Sequence, residues 1–497
     1  MNRVLIFIVA YNAEQHLEKV LRRIPPEIFS RYDYEILIID DSSKDRTFDV
    51  AQRFHSQHTN LNLKVLFNPV NQGYGGNQKL GYQYAIDNHF DVVVLLHGDG
   101  QYAPEMVEAI FSPILEERVD AVFGSRMMVK GDARKGGMPL YKYVGNKVLT
   151  FLENRILGAN LSEFHSGYRA YSVAALRRIP FQHNSPDFHF DTEIIIQLIL
   201  AKLQIREIPI PTHYGDEICH VNGFKYAWDV FIACIESRLQ GLSILYKRKY
   251  DIEQASSHYT LKLGYASSHS MSIDRVGAKS SVLDIGACEG FVAGELKKKG
   301  CRVSGIDQLP LRDGAPFDEY VQCDLNHPKF PFDMESFDYV LMLDVIEHLR
   351  SPEAFLDTLR EQLKLSPATV ILTTPNIAFG LMRLQLLLGQ FNYGKVGILD
   401  ITHCRLFTFK TFKHLCEECG YIVKDLKGIP VPFPKALGDN LAGRLLLGLN
   451  QLLIKINKSL FSYQIYAELR PTPVVGNLLA HTIKTSLEKT PAQEVVI

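Results

Sequence analysis

Short apolar runs alternate with amphipathic stretches along most of the chain. In the first half, helical spacing of apolar residues marks the stretches Glu14 to Arg23, Asn77 to Asn88 and Gly223 to Lys247. The apolar runs predict strands at 4–9, 35–39, 63–67, 91–96, 119–123 and 205–210. Because strands that alternate with helices form mostly parallel sheets covered on both faces, this half is predicted to be an α/β domain.

The alternation of strands and helices restarts near residue 280. It predicts strands at 281–285, 302–306, 319–322, 337–343 and 369–373. The segment Lys247 to Ser257 is charged and small, as is typical of a connector. The predicted organisation is therefore two α/β domains at 1–248 and 263–470, a linker at 249–262 and a loose polar tail at 471–497. Because the halves share no motif, we expect a fusion of two unlike domains.

The composition narrows the class of protein. A chain of 497 residues is too long for one hydrophobic core. Lysine plus arginine (54) nearly balances aspartate plus glutamate (55), which argues against a nucleic-acid partner. The eight cysteines are scattered, unlike a disulfide framework, and we find neither a signal peptide nor a run of about 18 apolar residues that could span a bilayer. We expect a cytoplasmic protein that is soluble or lies at the inner face of the membrane.

Polar residues follow the first two predicted strands. Ala10, Tyr11 and Glu14 come after the first strand and offer an aromatic face and polar groups to a nucleobase. Asp40 and Asp41 end the second strand, where carboxylates suit base N–H donors and ribose hydroxyls. The alternative for both aspartates is a helix cap.

Two further segments complete the candidate site of the first half. The run Asn71 to Asn77 contains three glycines, which let the backbone approach a ligand before a helix starts; an ordinary turn is the alternative. The fourth strand leads to His97, Asp99 and Gln101. A carboxylate at Asp99 can hold a divalent cation against a diphosphate.

Together these motifs resemble the family 2 glycosyltransferases of GT-A fold, nearest to the dolichyl-phosphate mannose synthase-like branch, over about residues 1–235. The resemblance implies sugar transfer with inversion from a nucleotide-sugar donor to a glycan or a lipid-linked, polyprenyl-phosphate acceptor. It implies donor contacts from Ala10, Tyr11, Glu14, Asp41, Asp99, Gln101 and Arg126, with Mg²⁺ or Mn²⁺ on Asp99 and Arg126 neutralising phosphate. Asp191 or Glu193 would be the general base for a hydroxyl acceptor, whereas a phosphate acceptor needs none.

The first half departs from this family at one position. The family's metal motif is commonly Asp-x-Asp, and His97 stands at its first position. Imidazole carries no negative charge and suits magnesium poorly. The metal requirement is therefore less firmly implied than the fold.

The second half begins with a different loop. In the segment Asp284 to Gly290, Cys288 stands where a dinucleotide fingerprint requires its second glycine after Gly286. Asp307 ends the next strand, at about the 20-residue offset at which an acidic residue binds ribose hydroxyls. Asp324 ends the third strand and can accept a hydrogen bond from an adenine amine.

These residues resemble the motifs of class I S-adenosylmethionine-dependent methyltransferases, over about residues 260–470. The resemblance continues through Phe337 to Leu349, Leu372 to Asn376 and His403 to Thr408. It implies a Rossmann-like fold and S-adenosylmethionine as cofactor, bound by Asp284, Gly286, Gly290, Asp307, Asp324 and Asp344. His348 and His403 are candidate bases for methylation of an oxygen, and structural roles in a helix and a loop are the alternatives.

Two weaker signals remain in the second half. Cys416 and Cys419, with nearby histidines, invite a zinc site, but their spacing lies within one helix and ordinary helix cysteines are the better interpretation. The apolar stretch Leu441 to Phe461 carries basic residues and can be a membrane-surface helix or a buried helix.

The resulting hypothesis is a bifunctional enzyme in glycan biosynthesis that transfers a sugar and methylates an oxygen, that of a sugar hydroxyl. Two alternatives stay open: one domain is a non-catalytic nucleotide-binding scaffold, or the second half is a dinucleotide-dependent oxidoreductase. The sugar, the donor base, the acceptor, the reaction order and the oligomeric state are not predicted.

Overall fold

The computed structural model describes residues 2–211, 222–241, 245–252, 261–287, 289–434 and 440–489. The chain divides into two compact units, Met1–Ser257 and His258–Ile497. Most of the predicted linker, together with Cys288, lies outside the described residues. Tyr250 and Ile252, which belong to the predicted linker, are buried in apolar clusters of the first unit.

The first unit is built on a seven-stranded mixed sheet. Its strands are β1 (Arg3–Ala10), β2 (Asp33–Asp40), β3 (Leu63–Phe67), β4 (Val92–His97), β5 (Ala121–Ser125), β6 (Arg169–Ser172) and β7 (Ile205–Pro209). They lie in the order β3-β2-β1-β4-β6-β5-β7. β6 is antiparallel to β4 and β5, and the other neighbouring pairs are parallel.

Helices cover both faces of this sheet. They are α1 (Leu17–Arg22), α2 (Ile28–Arg31), α3 (Thr47–Gln57), α4 (Tyr74–Asp87), α5 (Val107–Glu116), α6 (Asp132–Lys135), α7 (Leu140–Leu157), α8 (Val173–Arg177), α9 (Phe190–Leu200) and α10 (Gly223–Gly241). Since successive strand residues point to opposite faces, Val4 and Ile6 belong to one core cluster and Leu5 and Phe7 to the other. The near-continuous apolar runs of the sequence follow from this two-sided burial.

The second unit is also built on a seven-stranded mixed sheet. Its strands are β8 (Ser281–Ile285), β9 (Arg302–Asp307), β10 (Glu319–Gln322), β11 (Tyr339–Leu343), β12 (Thr369–Pro375), β13 (Tyr421–Ile429) and β14 (Gln464–Pro471). They lie in the order β10-β9-β8-β11-β12-β14-β13. β14 is antiparallel to both β12 and β13, so the last strand of the chain order lies inside the sheet.

The helices of the second unit again pack on two core clusters. They are α11 (Ser268–Arg275), α12 (Phe291–Lys298), α13 (Pro352–Leu363), α14 (Gly380–Leu387), α15 (Phe409–Glu418), α16 (Leu441–Ile456), α17 (Lys458–Phe461) and α18 (Val475–Lys489). Leu283 and Ile285 of β8 belong to one cluster and Val282 to the other.

The predicted α/β class, with a mostly parallel sheet in each half, is confirmed, and the structure adds three strands. β6 was missed because Arg169–Ser172 is short and begins with arginine. β13 and β14 were missed because their apolar and polar residues alternate only weakly and because they come after the predicted series of alternating strands and helices. The expectation of a loose tail from 471 is wrong for Val475–Lys489, which forms α18, while 490–497 lie outside the described residues.

The apolar helix α16 is not buried along its whole length. Leu441, Leu445, Leu449, Leu452 and Ile456 are exposed, and they recur every three or four residues, which places them on one face. The interpretation of this stretch as a buried helix is therefore wrong for that face. Within the described parts of the chain, no helix is both long enough and apolar enough to cross a bilayer.

Candidate functional sites

The first candidate site lies where three neighbouring strands of the first sheet end. The Asp41 amide donates to the Ala10 carbonyl at 2.9 Å, and the Gly98 amide donates to the Val9 carbonyl at 2.9 Å. The residues after β1, β2 and β4 are thereby held side by side. Asn12 (φ 50°) and Ser42 (φ 59°) adopt the left-handed conformation there, which turns the chain away from the sheet.

The carboxylate of Asp41 is fixed in this edge. Its Oδ1 accepts hydrogen bonds from the Asn68 side-chain amide and the Gln72 backbone amide, both at 2.8 Å. Tyr11 is 43% exposed and offers its ring to a ligand. Glu14 is also exposed, and its carboxylate accepts from the Arg46 amide at 3.2 Å. This placement agrees with a nucleoside between Tyr11 and Asp41, and the individual roles stay predictions.

His97 is a half-buried imidazole near Asp99. Burial lowers the pKa of His97, against the opposing effect of nearby Asp99 and Asp191. Its ring lies 4.9 Å from that of Tyr102, centroid to centroid, and its Nε2 has no hydrogen-bond partner among the described residues. Gly167 makes this packing possible, because a Cβ there would lie 2.7 Å from His97 Cε1.

Asp191 lies close to His97 and is the better placed of the two predicted bases. Its carboxylate accepts from the Tyr74 hydroxyl at 2.9 Å and from the Gln78 side chain at 3.3 Å. The Arg169 guanidinium lies 3.5 Å from the same carboxylate and is itself buried. Glu193, in contrast, is occupied by the Ser185 amide at 2.6 Å and by an ion pair with Lys249 at 2.6 Å.

The structure differs from two expectations for the first half. The glycines of the run allow close packing against another segment of the protein: a Cβ on Gly73 would lie 2.6 Å from the Pro186 carbonyl oxygen, and one on Gly75 would lie 2.5 Å from that of Ser185. Arg126 pairs with buried Glu163, to which it donates from Nε at 3.0 Å. Burial alone would raise the pKa of Glu163, but this ion pair lowers it, so the charge of Arg126 is largely compensated inside the protein.

The second candidate site is a cavity of about 450 Å³ at the carboxyl ends of the second sheet's strands. Six of the residues predicted for cofactor binding or catalysis line it: Asp284, Gly286, Asp307, Asp324, Asp344 and His348. Gly290 and His403 are not among the lining residues. The sequence pattern did not single out other lining residues, such as His269 and Thr402, which lie outside the motifs used.

Gly286 is required by both conformation and space. Its φ of 75° is left-handed, and a Cβ there would lie 2.3 Å from the Val345 side chain. Its amide donates to the Ile306 carbonyl at 2.8 Å, which holds the loop after β8 against β9. Gly290 is also left-handed, with φ 77°, and a Cβ there would lie 2.9 Å from Phe317. Both glycines therefore shape the loop that borders the cavity.

The acids of the cavity differ in charge state. Burial, and then the charge of Asp307, raise the pKa of Asp284 to about 7. Burial would also raise the pKa of Asp344, but Lys262 and hydrogen bonds from Thr373 (2.7 Å) and Gln464 (2.8 Å) bring it below its ordinary value. Asp344 thus stays ionised, whereas Asp284 is partly protonated near neutral pH.

Asp324 stands at the rim of the cavity. It accepts from the Asn326 amide at 2.9 Å and from the Asn326 side chain at 3.1 Å. These hydrogen bonds lower the pKa of Asp324. An ionised carboxylate at this rim can accept a hydrogen bond from a ligand amine.

His348 and His403 lie together, with ring centroids 4.8 Å apart. Burial lowers the pKa of His403. Cys416 and Cys419 are buried in the core, where burial raises the thiol pKa of Cys416 to about 12. Neither cysteine joins a group of three possible metal ligands in the part of the chain that the structure describes.

Two such groups of possible metal ligands do occur among the described residues. One comprises Glu347, His348 and His403. The other comprises Asp187, His189 and Asp229, where Lys225 already pairs with Asp187 at 2.7 Å and with Asp229 at 3.4 Å. Asp99 belongs to neither group, so a cation there would need most of its ligands from a bound diphosphate and water, as Mg²⁺ commonly does.

Comparison with known proteins assigns both units. Residues 5–179 match the family described as Glycosyl transferase family 2. A UDP-N-acetylglucosamine–dolichyl-phosphate N-acetylglucosaminyltransferase of Methanococcus voltae is 31% identical over 43% of this chain and 86% of its own length. The first unit belongs to glycosyl transferase family 2. An undecaprenyl-phosphate mannosyltransferase of Micrococcus luteus is 26% identical over 42% of this chain and 82% of its own.

Residues 265–425 match the family described as Methyltransferase domain. The second unit is therefore a methyltransferase domain. Among solved structures, 1,6-didemethyltoxoflavin-N1-methyltransferase of Burkholderia thailandensis, with bound S-adenosylhomocysteine, aligns with 41% of this chain and 76% of its own at 15% identity and a TM-score of 0.28. The predicted enzyme class, a glycosyltransferase joined to a methyltransferase, is confirmed by the family matches.

The raised pKa of Asp284 predicts how stability depends on pH. Between the ordinary value of 3.8 and about 7, the folded protein holds a proton that the unfolded chain releases, so this group's stabilising contribution is lost as pH rises through 7. The slope from one group is at most about 1.4 kcal/mol per pH unit. We expect the free energy of local opening of β8 to vary less with pH between pH 5 and 8 in Asp284→Asn than in the wild type. Hydrogen exchange of the β8 amides measures this free energy.

Asp313→Asn is the matched control, because Asp313 lies exposed in a loop. It should keep the wild-type pH dependence. An Asp284→Asn protein with an unaltered slope would show that Asp284 does not titrate in this range.

Proposed function

We propose that the chain is a bifunctional enzyme: its first unit transfers a sugar from a nucleotide donor to a polyprenyl-phosphate or glycan acceptor, and its second methylates an oxygen with S-adenosylmethionine. The observation that carries this proposal is that each unit has its own set of acidic groups at the carboxyl ends of its strands. Asp41, Asp99 and Asp191 lie at the first edge, and the cavity lined by Asp284 and Asp307 lies at the second. A scaffold would need only one working site.

For the donor, Tyr11 stacks on the base and Asp41 accepts from its N–H groups or the ribose. Asp41 is suited to this because two amides fix its carboxylate before the ligand arrives. The Methanococcus relative is named for UDP-N-acetylglucosamine and dolichyl phosphate, and the Micrococcus relative for undecaprenyl phosphate. These names support a nucleotide-sugar donor and a polyprenyl-phosphate acceptor. A divalent cation on Asp99 would neutralise the diphosphate as it leaves.

For the acceptor, Asp191 is the residue that would take a proton from a hydroxyl. The positive charge of Arg169 lies 3.5 Å from its carboxylate and favours the ionised form that a base needs. Tyr74 and Gln78 orient the carboxylate. If the acceptor is a phosphate, Asp191 instead orients the site, because a phosphate oxygen attacks without losing a proton.

In the second unit, Asp307 binds the ribose hydroxyls and Asp324 the adenine amine of S-adenosylmethionine; both residues line the cavity, which supports this assignment. The absent side chain at Gly286 lets the loop after β8 pack against Val345 at the border of the cavity. The cofactor supplies a methyl group already activated by positive sulfur, so the protein's task is to align the acceptor oxygen and accept its proton. His348 lines this cavity.

We further propose that the enzyme contacts a membrane that carries its acceptor. The exposed apolar face of α16 reaches from Leu441 to Ile456, and the helix bears Arg444 and Lys455 but no acidic residue. An apolar face with basic residues and no acid suits a bilayer that contains anionic lipids. In the first unit, α7 also has exposed apolar residues such as Phe151 together with Lys147, and its one acidic residue, Glu153, is buried.

The donor site is tested by Asp99→Asn and Asp191→Asn. Each removes a charge at the reacting centre, and we expect losses of roughly 10²–10³ in turnover. Donor turnover is measured with UDP-, GDP- and dTDP-sugars, Mn²⁺ or Mg²⁺, and polyprenyl phosphate. The control is Asp49→Asn on the exposed side of α3. Wild-type turnover in Asp99→Asn would refute the metal site, and no turnover by the wild type would favour the scaffold hypothesis.

The cofactor site is tested by calorimetry with S-adenosylmethionine. Loss of a hydrogen bond to a charged group costs about 1.5–3 kcal/mol, so Asp307→Ala should weaken binding at least about tenfold. The matched control, Asp313→Ala, should bind like the wild type. Binding of NAD in place of S-adenosylmethionine would support an oxidoreductase and reject the methyl-transfer proposal.

Membrane contact is tested by flotation with vesicles that contain anionic lipid. Leu449→Glu places a charge on the apolar face of α16 and should reduce the bound fraction severalfold. Gln451→Glu adds the same charge to the same helix at an exposed polar position and is the control. Equal loss in both variants would mean that net charge, rather than the apolar face, governs binding.

A further inference from the structure

Glu347 is a buried carboxyl group with no hydrogen-bond partner among the described residues. It lies in the turn Ile346–His348 after β11 and is 1% exposed. Neither of its carboxylate oxygens has a hydrogen-bond partner of acceptable geometry among the residues that the structure describes, although the Thr374 hydroxyl lies nearby as a possible donor. A buried carboxylate is costly unless another group satisfies it, so this position is suited to a ligand.

Two imidazoles stand beside this carboxyl group. One ligand atom from each of Glu347, His348 and His403 lies within 4.8 Å of the other two. The three residues come from two segments that the backbone holds together, because the amides of Cys404 and Arg405 donate to the Glu347 carbonyl at 2.8 Å and 3.0 Å. The grouping is therefore built into the fold of the second unit.

Hydrogen bonds fix the tautomer of both histidines. His348 Nδ1 lies 3.3 Å from the Thr402 carbonyl oxygen, and His403 Nδ1 lies 2.9 Å from that of Ile398. A carbonyl oxygen only accepts, so each Nδ1 carries the proton and each Nε2 keeps its lone pair. A backbone carbonyl that orients a histidine in this way is the usual outer-shell arrangement of metal-binding imidazoles.

We propose that Glu347, His348 and His403 form a binding site for a divalent transition metal at the edge of the cofactor cavity. Two imidazoles and one carboxylate are the ligand set of catalytic zinc sites and of open sites for other first-row metals, and they leave coordination positions free. Asp344 is not a ligand, because Thr373, Gln464 and Lys262 occupy its carboxylate. His348 also lines the cavity, which places the site next to the reacting centre.

The site selects an acceptor that offers hydroxyl oxygens. An oxygen bound to a divalent cation is a stronger acid, so its proton passes to solvent more readily. The oxygen then forms a bond to the methyl carbon, the carbon–sulfur bond breaks with its electron pair going to sulfur, and the neutral thioether S-adenosylhomocysteine leaves. This role of the metal rests on the proposed methyl transfer, whereas metal binding itself does not.

The test is a titration of the metal-free full-length chain with Co²⁺, followed by visible absorption and calorimetry. We expect ligand-field bands of a low-symmetry site, lost in Glu347→Gln and in His403→Ala with affinity reduced at least about 100-fold. His414→Ala, at an exposed histidine of α15, and Asp99→Asn, in the first unit, should both retain the bands. Zn²⁺ should displace Co²⁺, and Mg²⁺ at equal concentration should not.

Binding of S-adenosylmethionine without metal is measured on the same variants to show that they are folded. Full Co²⁺ affinity in Glu347→Gln or His403→Ala overturns the metal site, as does displacement of Co²⁺ by Mg²⁺. Wild-type protein that binds Co²⁺ but not S-adenosylmethionine keeps the metal site and rejects the proposed methyl transfer. Wild-type protein that binds S-adenosylmethionine but not Co²⁺ does the reverse.

Discussion

Parallel pairing about a central strand determines where both candidate sites lie. β1 pairs in parallel with β2 and β4, and β8 pairs in parallel with β9 and β11. Parallel neighbouring strands end at the same edge of the sheet, so the residues that directly follow them lie close together. At each edge a residue with positive φ turns the chain away from the sheet: Ser42 in the first unit, and Gly286 and Asp344 in the second. The acids of both sites depend on this geometry for their proximity.

Around that edge, the first unit contains several buried ion pairs with different consequences. Arg169 and Asp191 lie next to His97, and the Tyr74 hydroxyl donates a hydrogen bond to the Asp191 carboxylate. Arg126 and Glu193 are instead engaged by Glu163 and Lys249. A buried charge that is already paired contributes to the local structure more than to ligand binding. The structure therefore distinguishes Asp191 from Arg126 and Glu193, although the sequence motifs suggested a role in the site for all three.

The sequence predicts features that depend on neighbouring residues better than features that depend on contacts between residues far apart in the chain. Strand ends were predictable because apolar runs mark β1, β4 and β8 directly, and the acids after them followed. The antiparallel β6 was not, because its pairing with β4 and β5 is long-range and Arg169 hides its apolar character. The glycines at 73 and 75 looked like a ligand loop, but their close neighbours, Ser185 and Pro186, lie far away along the chain.

The candidate metal ligands show the same limit. His348 and His403 were singled out separately as bases, and nothing local indicated that their rings lie together. Glu347 precedes His348 directly, yet its burial without a hydrogen-bond partner in the described part of the chain is a property of the folded unit alone. A carboxyl group next to a histidine is common in sequences, so only the third ligand, contributed from a different segment, distinguishes this site.

The interior position of β14 has a consequence for how the second unit is assembled. β14 lies between β12 and β13, and its first residue, Gln464, donates a hydrogen bond to Asp344, which lines the cavity of the second unit. During synthesis, a chain that ends at β13 still lacks β14, the strand that pairs with both β12 and β13. Asp344 then also lacks the hydrogen bond from Gln464. Both the second sheet and the set of donors to Asp344 are therefore completed only once residues 464–471 have been synthesised.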